Sequence, residues 1–499
     1  MKSAVIIGGG IGGLSCAIRL AGAGVRVTLL EQQATLGGKL QRVQLGSYQF
    51  DRGPSTITML ESFAKIFKSV GRHIDDYIHF YPLTPLARNV FADGHTVDLT
   101  TSIEAMQQQI AAFAPQDAAN YPQFMAEARK LYAISKKAFL HQLMLGWHDK
   151  LKPSLAVSFL QIHPFTTLQK LLLRYFKHPN TLALFGRYAT YVGSSPYEAP
   201  AIFAMMASLE AEEGIYGVYG GTYEIVCGLE KLAIELGVEI HKSCRVQRII
   251  IEHKCATGVE SSAGTFQADV VVANADALTV YATMIEERHR PAMSDKKIAS
   301  YEPSLSGYVV LAGVNKVYPQ LLHHNVYFPP NYEQEFKQLF KEKTPLTEPT
   351  IYICYNGHDD REVAPQDSSN LFILVNAPSL PESTGFQYNG PFTESFSEQY
   401  GEHVLQMLEK RGLNDLRSSL QVQATFTPVD LHQQTGAHRG AIYGISSNRA
   451  QQTFFRPGNR AQDIDNLWFV GGTTHPGGGT PIVALSGQLV AERLLLNLH

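Results

Sequence analysis

Residues 4–13 read Ala-Val-Ile-Ile-Gly-Gly-Gly-Ile-Gly-Gly, a short apolar run that ends in glycines. The run has the length of one buried strand, and Gly8, Gly10 and Gly13 follow it in the spacing GxGxxG. In a strand–turn–helix unit the first glycine permits a tight turn, the second lets the backbone approach a pyrophosphate, and the third lets helix and strand pack. The free N–H groups of the helix, Gly12 included, favour an anion there. The opening therefore predicts a Rossmann-type βαβ unit.

Glu31 ends the second predicted strand, which covers residues 25–30, and it lies eighteen residues after Gly13. A carboxylate at this place can accept hydrogen bonds from both hydroxyls of an adenosine ribose, and it disfavours a 2′-phosphate. A glycine triplet alone is a weak signal, because a tight turn without a ligand has the same pattern. Together with Glu31 it predicts a dinucleotide site for FAD or NAD rather than NADP.

Later segments return to the same alternation of strand and helix. The pattern predicts a helix at 223–236 and strands at 238–240, 245–251, 270–273 and 467–470. Nucleotide-domain pieces thus alternate with other material along the 499-residue chain. We expect a discontinuous dinucleotide domain at 1–75, 211–300 and 441–499, a helical region at 76–210 and a substrate-binding domain at 301–440.

The composition is that of an ordinary globular protein. With 44% hydrophobic residues, 17% charged residues and a net charge of -3, it gives no signature of disorder or of a nucleic-acid partner. No apolar run reaches the roughly eighteen residues of a bilayer-spanning helix, so any membrane contact would be peripheral. The oligomeric state stays open.

The cysteines and histidines predict no metal site and no disulfide frame. The five cysteines lie far apart, without a CxxC motif or a histidine at zinc-site spacing, which fits a reducing cytoplasm. His323 and His324 are adjacent, so on a strand they would face opposite sides and form a poor ligand pair. We interpret both as structural or surface residues.

Residues 131–190 carry an excess of positive charge: eight Lys or Arg against Asp149 alone, +7 within a chain of net -3. The basic residues are Lys136, Lys137, Lys150, Lys152, Lys170, Arg174, Lys177 and Arg187. The large apolar residues between them are Phe139, Leu140, Leu143, Met144, Leu145, Trp147, Phe159, Leu160, Phe165, Leu171, Leu172, Leu173, Tyr175 and Phe176. This mixture predicts interfacial helices on an anionic membrane surface. The alternative is a solvated basic face that covers a core.

Two motifs after Glu31 favour FAD over NAD. Residues 37–39 read Gly37-Gly38-Lys39, and residues 50–55 read Phe-Asp-Arg followed by Gly53-Pro54-Ser55. This pattern resembles the GG motif of the flavin amine oxidase and carotenoid desaturase superfamily. The resemblance implies that the glycines let the backbone approach the flavin and that Lys39 meets phosphate or ribityl oxygens.

The C-terminal segment 466–481 resembles the other half of the flavin site in that superfamily. It holds Gly471 and Gly472, then Gly479, Thr480 and Pro481, and Ile482 follows it. Thr480 and Pro481 are favourable N-cap and N1 residues, so a helix should begin there. The resemblance implies that its positive end faces the flavin N1 and C2 carbonyl, where negative charge collects on reduction.

Two further positions match the family less specifically. Val246 matches the strand whose backbone meets adenine, and Asn274 matches a strand-end turn. For catalysis the candidate is His475, which precedes Pro476 in the C-terminal turn. An imidazole there could take a proton or tune the flavin. The alternative is a histidine that braces the turn.

Over nearly its whole length the chain resembles bacterial carotenoid desaturases and their oxygenase relatives, the phytoene desaturase-like flavoproteins. Residues 191–200, 439–444, 476–481 and 485–488 are most similar to the oxygenase branch. That resemblance implies an FAD-dependent enzyme that oxidises a terminal methyl of a linear, thirty-carbon carotenoid to an aldehyde. The alternative is a desaturase that introduces conjugated double bonds.

The resemblance implies the architecture, and the basic segment predicts the location. The fold would be α/β, with a Rossmann-type FAD-binding domain, an inserted substrate domain and a helical membrane-facing region. The protein would lie peripherally on the cytoplasmic face of the bacterial membrane. Two rivals share the scaffold: a soluble flavin amine oxidase and a non-catalytic prenyl-binding protein.

Overall fold

The computed structural model describes residues 2–140, 142–143, 145, 158–382, 390–454 and 456–498. Its strands, in chain order, are β1 Ser3–Ile7, β2 Arg26–Leu30, β3 Gln41–Leu45, β4 Tyr48–Arg52, β5 Phe80–Pro82, β6 Ala87–Val90, β7 Thr96–Leu99, β8 Tyr216–Val218, β9 Glu239–His241, β10 Val246–Glu252, β11 Cys255–Ser261, β12 Gly264–Gln267, β13 Val270–Ala273, β14 Ser306–Val314, β15 His324–Tyr327, β16 Ile351–Tyr355, β17 Ser369–Ala377, β18 Leu420–Phe426 and β19 Leu467–Phe469.

The α-helices, numbered over the same described ranges, are α1 Ile11–Ala21, α2 Leu60–Lys68, α3 Ile103–Ala111, α4 Pro115–Ser135, α5 Leu168–Leu172, α6 Pro179–Gly186, α7 Met205–Glu213, α8 Glu224–Glu235, α9 Ala277–Met284, α10 Asp295–Ala299, α11 Tyr332–Lys337, α12 Glu394–Lys410, α13 Pro428–Thr435, α14 Ala450–Phe454 and α15 Thr480–Leu498. Short 3₁₀ segments join several of them, including Arg187–Val192.

The first sheet is parallel and has the strand order β19-β13-β1-β2-β9. Its strands come from both ends and the middle of the chain, and each begins and ends within two residues of its predicted place. The register sets Ile7 beside both Leu30 and Ala273, so the turns after β1, β2 and β13 lie at one edge of the sheet. The predicted α/β fold with a Rossmann-type unit is confirmed.

Helix α1 packs closely against the C-terminal helix α15. The Ser15 hydroxyl donates to the Ala484 carbonyl at 2.7 Å. A Cβ on Gly487 would lie 2.2 Å from the Gly12 carbonyl oxygen, so only glycine allows this approach. The two ends of the chain are therefore held together at the glycine turn.

The second sheet has the order β18-β14-β17-β16-β15-β6-β7, with antiparallel pairing except between β15 and β6. One face packs under α12, and the other meets the β3–β4 hairpin. Strands β6 and β7 fall within residues 76–210, so part of the predicted helical region joins this sheet. The predicted domain ranges stay a prediction.

Helices α3 to α7 form a third layer with its own apolar core. Phe124, Phe176 and Phe185 are buried there, and their ring centroids lie 4.9–5.2 Å apart. Residues 141, 144 and 146–157 of the basic segment lie outside the described residues, and with them the predicted interfacial residues Met144, Trp147, Lys150 and Lys152 and the acidic Asp149. Within the described ranges no helix is both long and apolar enough to cross a membrane.

Candidate functional site

A cavity of about 950 Å³ lies between the two sheets and the helical layer. This is near the upper end of about 300–1,000 Å³ that is usual for small-molecule sites. The structure brings nearly all sequence-predicted site residues to its wall. These are Gly8, Gly10, Gly12, Glu31, Gly37, Gly38, Lys39, Gly53, Pro54, Ser55, Val246, Asn274, Gly471, Gly472, His475, Gly479, Thr480, Pro481 and Ile482.

Gly13 is the predicted site residue that does not line the cavity. It lies behind the turn, where an added Cβ would come within 2.3 Å of the Gly8 carbonyl oxygen. This is the packing position that the third glycine of the motif requires. Gly13 therefore shapes the turn without facing a ligand.

Glu31 holds the glycine turn in place. Its Oε2 accepts a hydrogen bond from the Gly9 backbone N–H at 2.8 Å, and Oε1 accepts one from the Gln33 N–H at 2.8 Å. Burial raises the pKa of this carboxyl, and the backbone N–H donors of Gln33, Gly9 and Gln32 oppose the rise. Each oxygen keeps further lone pairs for a ligand in the cavity.

Asn274 lies under both halves of the site. Its Nδ2 donates to the Gly8 carbonyl at 3.1 Å. An added Cβ would come within 2.7 Å of Asn274 Oδ1 at Gly12 and within 3.2 Å of it at Gly471. The side chain thus fills the space between the N-terminal glycine turn and the C-terminal turn, and larger residues at either turn would displace it.

Lys39 reaches across the cavity to the residues that follow the short 3₁₀ segment His438–Gly440. Its ammonium donates to the Ala441 and Ile442 carbonyls at 3.0 and 2.5 Å. An ammonium has three donors, so one is left for a ligand oxygen. Burial lowers the pKa of Lys39 to about 8, and the nearby Asp276 carboxylate opposes that shift.

The C-terminal helix begins one residue earlier than predicted. Thr480 is already helical, and the Gly479 carbonyl accepts the Val483 N–H at 2.9 Å, so Gly479 is the cap rather than Thr480. Gly479 has φ +115°, a backbone conformation that is strained for residues with a side chain. Pro at the second helical position still fits, because N–H groups of the first turn have no partner within the helix.

Arg52, Arg187 and Arg456 line the cavity, and none of them was predicted as a site residue. Arg456 donates to the Gly472 carbonyl at 3.0 Å, and burial lowers its pKa to about 10. Arg187 is only 5% exposed, so its expected place on a basic membrane face is wrong. It pairs with Glu210 at 3.2 Å and donates to the Tyr191 hydroxyl at 2.5 Å. The ion pair with the buried Glu210 carboxylate compensates for the solvation that the arginine guanidinium loses on burial.

A hydrogen-bonded chain leads from Ser55 into the second sheet. The Ser55 and Tyr352 hydroxyls are 2.6 Å apart, and the Tyr352 hydroxyl is 2.8 Å from His324 Nδ1. Arg187 and Tyr191 line the cavity near this chain, so polar groups collect in one part of a largely apolar wall. Sequence patterns do not indicate it, since Ser55 lies in the loop after β4 whereas His324 and Tyr352 lie in β15 and β16, far away in the chain.

His475 lies at the cavity wall, where its ring holds a neighbouring segment. Its Nε2 is 2.8 Å from the carbonyl oxygens of both Phe139 and Gln142, so it carries the proton and donates to them. This nitrogen is engaged and cannot accept a proton. The geometry supports the bracing alternative, and the catalytic role stays a prediction.

His323 and His324 are both buried, so of the two expectations, structural or surface, the surface location is excluded. Their ring centroids lie 4.6 Å apart. His323 precedes strand β15, and the alternation of a strand therefore does not separate the two rings. Cys354 and Asp359 oppose the effect of burial and raise the pKa of His323 to about 9, while burial lowers the pKa of His324.

The residues at the N-terminal end of the cavity fit FAD. A side chain at Gly12 would collide with Asn274, so the glycine turn lets a ligand approach the backbone, and the Glu31 carboxylate lies at the same cavity wall with lone pairs for further hydrogen bonds. The chain also matches the family model described as flavin containing amine oxidoreductase over residues 11–495. Fold and site together define an FAD-dependent oxidoreductase.

Curated relatives extend the similarity over the full chain. A 4,4'-diaponeurosporene oxygenase of Staphylococcus aureus (strain MRSA252) is 34% identical, over 99% of this chain and 98% of the relative. The protein of the same name from Staphylococcus haemolyticus is 34% identical over 99% and 97%. The chain belongs to the flavin-containing amine oxidoreductase family, in the branch that holds these oxygenases.

Solved structures share the fold at low sequence identity. An oxidoreductase from Methanosarcina mazei superimposes with a TM-score of 0.66 at 16% identity, covering 98% of this chain and all of that one. Putrescine oxidase with bound putrescine gives 0.67 at 12% identity, covering 99% of both chains. These similarities describe the fold alone.

Proposed function

We propose that this protein uses FAD to oxidise a terminal methyl group of a linear, thirty-carbon carotenoid to an aldehyde. The observation that carries the proposal is the full-length, 34% identity to 4,4'-diaponeurosporene oxygenases. The cavity supports it, because one continuous space joins the dinucleotide turn to an apolar region between the helical layer and the second sheet.

The walls of that region suit a hydrocarbon chain. From the helical layer come Ile202, Phe203, Met205, Met206 and Leu209, and from the second sheet Val309, Val326, Phe372 and Leu374. Aliphatic and aromatic side chains can enclose a polyene, which has no group that needs a hydrogen bond. Burial of apolar surface contributes roughly 25 cal/mol per Å² to the free energy of binding. They also exclude water from the reacting end.

We assign the FAD contacts to the residues predicted from the sequence. Gly10, Gly12 and the start of α1 would bind the pyrophosphate, and Glu31 the adenosine ribose. The third donor of Lys39 would serve a phosphate or ribityl oxygen. The C-terminal turn and the start of α15 would face the flavin ring, where FAD accepts electrons from the substrate.

The polar groups beside Ser55 favour oxygenation over desaturation. A desaturase handles only hydrocarbon, and buried hydroxyl, imidazole and guanidinium groups at its wall would serve no atom of its substrate or product. An aldehyde oxygen, in contrast, can accept a hydrogen bond from Tyr352 or Arg187. These side chains hold the oxidised end of the chain next to the loop of Gly53 and Ser55.

The helical layer supports peripheral binding to a membrane. Leu160, Phe165 and Leu173 are 69%, 84% and 39% exposed. The exposed bases Lys170, Arg174 and Lys177 accompany them. Leu160 also lines the cavity, so this surface lies at its opening and a carotenoid could pass from the bilayer to the flavin. We therefore place the protein on an anionic leaflet, as at the cytoplasmic face of a bacterial membrane.

Vesicle sedimentation tests the membrane proposal. The protein should pellet with anionic vesicles and be released by high salt, because the attraction is screened. Replacing Phe165 and Leu173 with serine should weaken pelleting, whereas the exposed Leu496→Ser at the other end of the chain should not. Pelleting that ignores lipid charge would contradict this assignment.

Product analysis tests the proposed reaction. The holoprotein with vesicles, in air, receives diaponeurosporene in one tube and diapophytoene in another. An aldehyde from the first substrate supports the oxygenase, and loss of hydrogen pairs from the second would make the protein a desaturase instead. Peroxide from small amines would support the amine oxidase rival, and a purified protein without flavin the prenyl-binding one.

A further inference from the structure

Three side chains just behind the cavity wall come together from two neighbouring strands. His324 pairs in register with Cys354 across β15 and β16, and His323 directly precedes β15. One nitrogen or sulfur atom from each lies within 4.8 Å of the other two. All three residues are buried, and the two histidines are 5% and 2% exposed.

Each imidazole has one nitrogen held by an oxygen partner. His323 Nδ1 is 2.9 Å from Asp359 Oδ2, and His324 Nδ1 is 2.8 Å from the Tyr352 hydroxyl. Histidines that bind metals are oriented in this way, with the second nitrogen left for the cation. The two Nε2 atoms are thus the ones available to a ligand.

His324 Nε2 gives an independent indication. It is buried and has no hydrogen-bond partner among the described residues. A buried polar atom without a hydrogen-bond partner is unfavourable, so this nitrogen is positioned to bind a ligand. The Cys354 thiol points to the Asn356 Oδ1, 3.0 Å away, and its proton is the one that a cation would displace.

We propose that His323 Nε2, His324 Nε2 and Cys354 Sγ bind a divalent first-row transition metal, with zinc as the best match. Two imidazoles and a thiolate suit zinc, cobalt or copper, and do not suit magnesium or calcium, which take oxygen ligands. Three protein ligands leave a fourth position for water or an oxygen-bearing ligand. The Asp359 carboxylate adds negative charge next to the cation.

The site goes beyond the proposed carotenoid oxidation, which does not depend on it. His324 lines the cavity and Tyr352 links it to Ser55. A bound cation would therefore fix the His324 ring, and through it the Tyr352 hydroxyl, at the substrate wall. Removing the metal should loosen this wall without releasing FAD.

The test uses the FAD-loaded protein dialysed against zinc and then against a weak chelator. Elemental analysis should give about one zinc per flavin. X-ray absorption at the zinc edge on the unaltered protein should show one sulfur at about 2.3 Å and nitrogens at about 2.0–2.1 Å. Because this spectrum needs no substitution, it remains decisive if a variant fails to fold.

Variants locate the site. Cys354→Ser should lose the sulfur signal and most of the zinc, and Asp359→Asn should weaken zinc binding by about 10–100-fold. Cys227→Ser is the control, since Cys227 lies in α8 outside the cluster. No retained zinc in the unaltered protein, or a zinc spectrum with oxygen and nitrogen only, overturns the proposal.

Discussion

The backbone N–H of Gly9 donates to the Glu31 carboxylate at 2.8 Å, which joins the glycine turn to the end of the second strand. We propose that the same carboxylate binds the adenosine ribose, so that one side chain both shapes the turn and holds the cofactor. Loss of the Glu31 carboxylate should therefore weaken FAD binding in two ways, by loosening the glycine turn and by removing the proposed partner of the ribose.

Glu31→Ala should lower the FAD content of the purified protein by roughly tenfold. It removes the acceptor of the Gly9 and Gln33 N–H groups, at about 1–3 kcal/mol for each buried donor, and the partner of the ribose. The flavin-to-protein absorbance ratio measures this. Glu260→Ala, which changes an exposed carboxylate on β11, should keep its flavin. Unchanged flavin in Glu31→Ala would refute the ribose assignment.

Gly13→Ala should destabilise the flavoprotein by about 1–3 kcal/mol, because the new Cβ would lie 2.3 Å from the Gly8 carbonyl oxygen and the turn cannot widen freely. Thermal unfolding measures the change. Gly458→Ala is the matched control, since its Cβ would meet the Arg460 carbonyl oxygen at 3.4 Å. Equal melting temperatures for the two variants would show that the close packing at Gly13 is unimportant.

FAD affinity should fall as the pH rises above about 8. Burial holds the pKa of Lys39 at about 8 in the absence of a ligand, so the amine is charged below that pH and neutral above it. An adjacent phosphate favours the charged form of the amine. Above pH 8 the neutral Lys39 amine must therefore take up a proton when FAD binds, and this lowers the affinity. Lys39→Arg keeps its charge and should abolish this fall. Flavin fluorescence titrations across the range measure it, and the same pH profile in both proteins would contradict a phosphate contact.

Tyr352→Phe should reduce turnover by roughly tenfold and leave the flavin content unchanged. The substitution removes the hydroxyl between Ser55 and His324, a hydrogen-bonding change of about 0.5–1.5 kcal/mol. Tyr308→Phe is the control, because this buried tyrosine donates to the Ser397 carbonyl from the opposite face of the same sheet. An equal loss in both variants would indicate general destabilisation rather than a role at the substrate wall.

Local sequence patterns were sufficient to predict the dinucleotide-binding fold. The glycine turn, Glu31 and the apolar strands are set by residues close in sequence, and β13 lies where it was predicted, at Val270–Ala273. The C-terminal helix differs by one residue, because the Gly479 carbonyl caps it before Thr480 can. Sequence patterns resolve such boundaries poorly.

The features that were missed depend on long-range pairing. Arg187 is buried because Glu210, twenty-three residues later, reaches its guanidinium across the helical layer. Cys354 meets His324 only because antiparallel register aligns β15 with β16. The periodicity of the sequence predicts neither the Arg187–Glu210 pair nor the Cys354–His324 pair. Without knowledge of its partner, a charged or polar residue is expected to be exposed.

A competition assay between the two carotenoids tests the proposed reaction most directly. Equal amounts of diaponeurosporene and diapophytoene are given to the FAD-loaded protein on anionic vesicles in air, and the products are identified by mass. If the protein is the oxygenase, diaponeurosporene is consumed first and its product has gained one oxygen and lost two hydrogens, as in an aldehyde. Preferential consumption of diapophytoene, with products that differ from it only by loss of hydrogen, would contradict the proposed reaction.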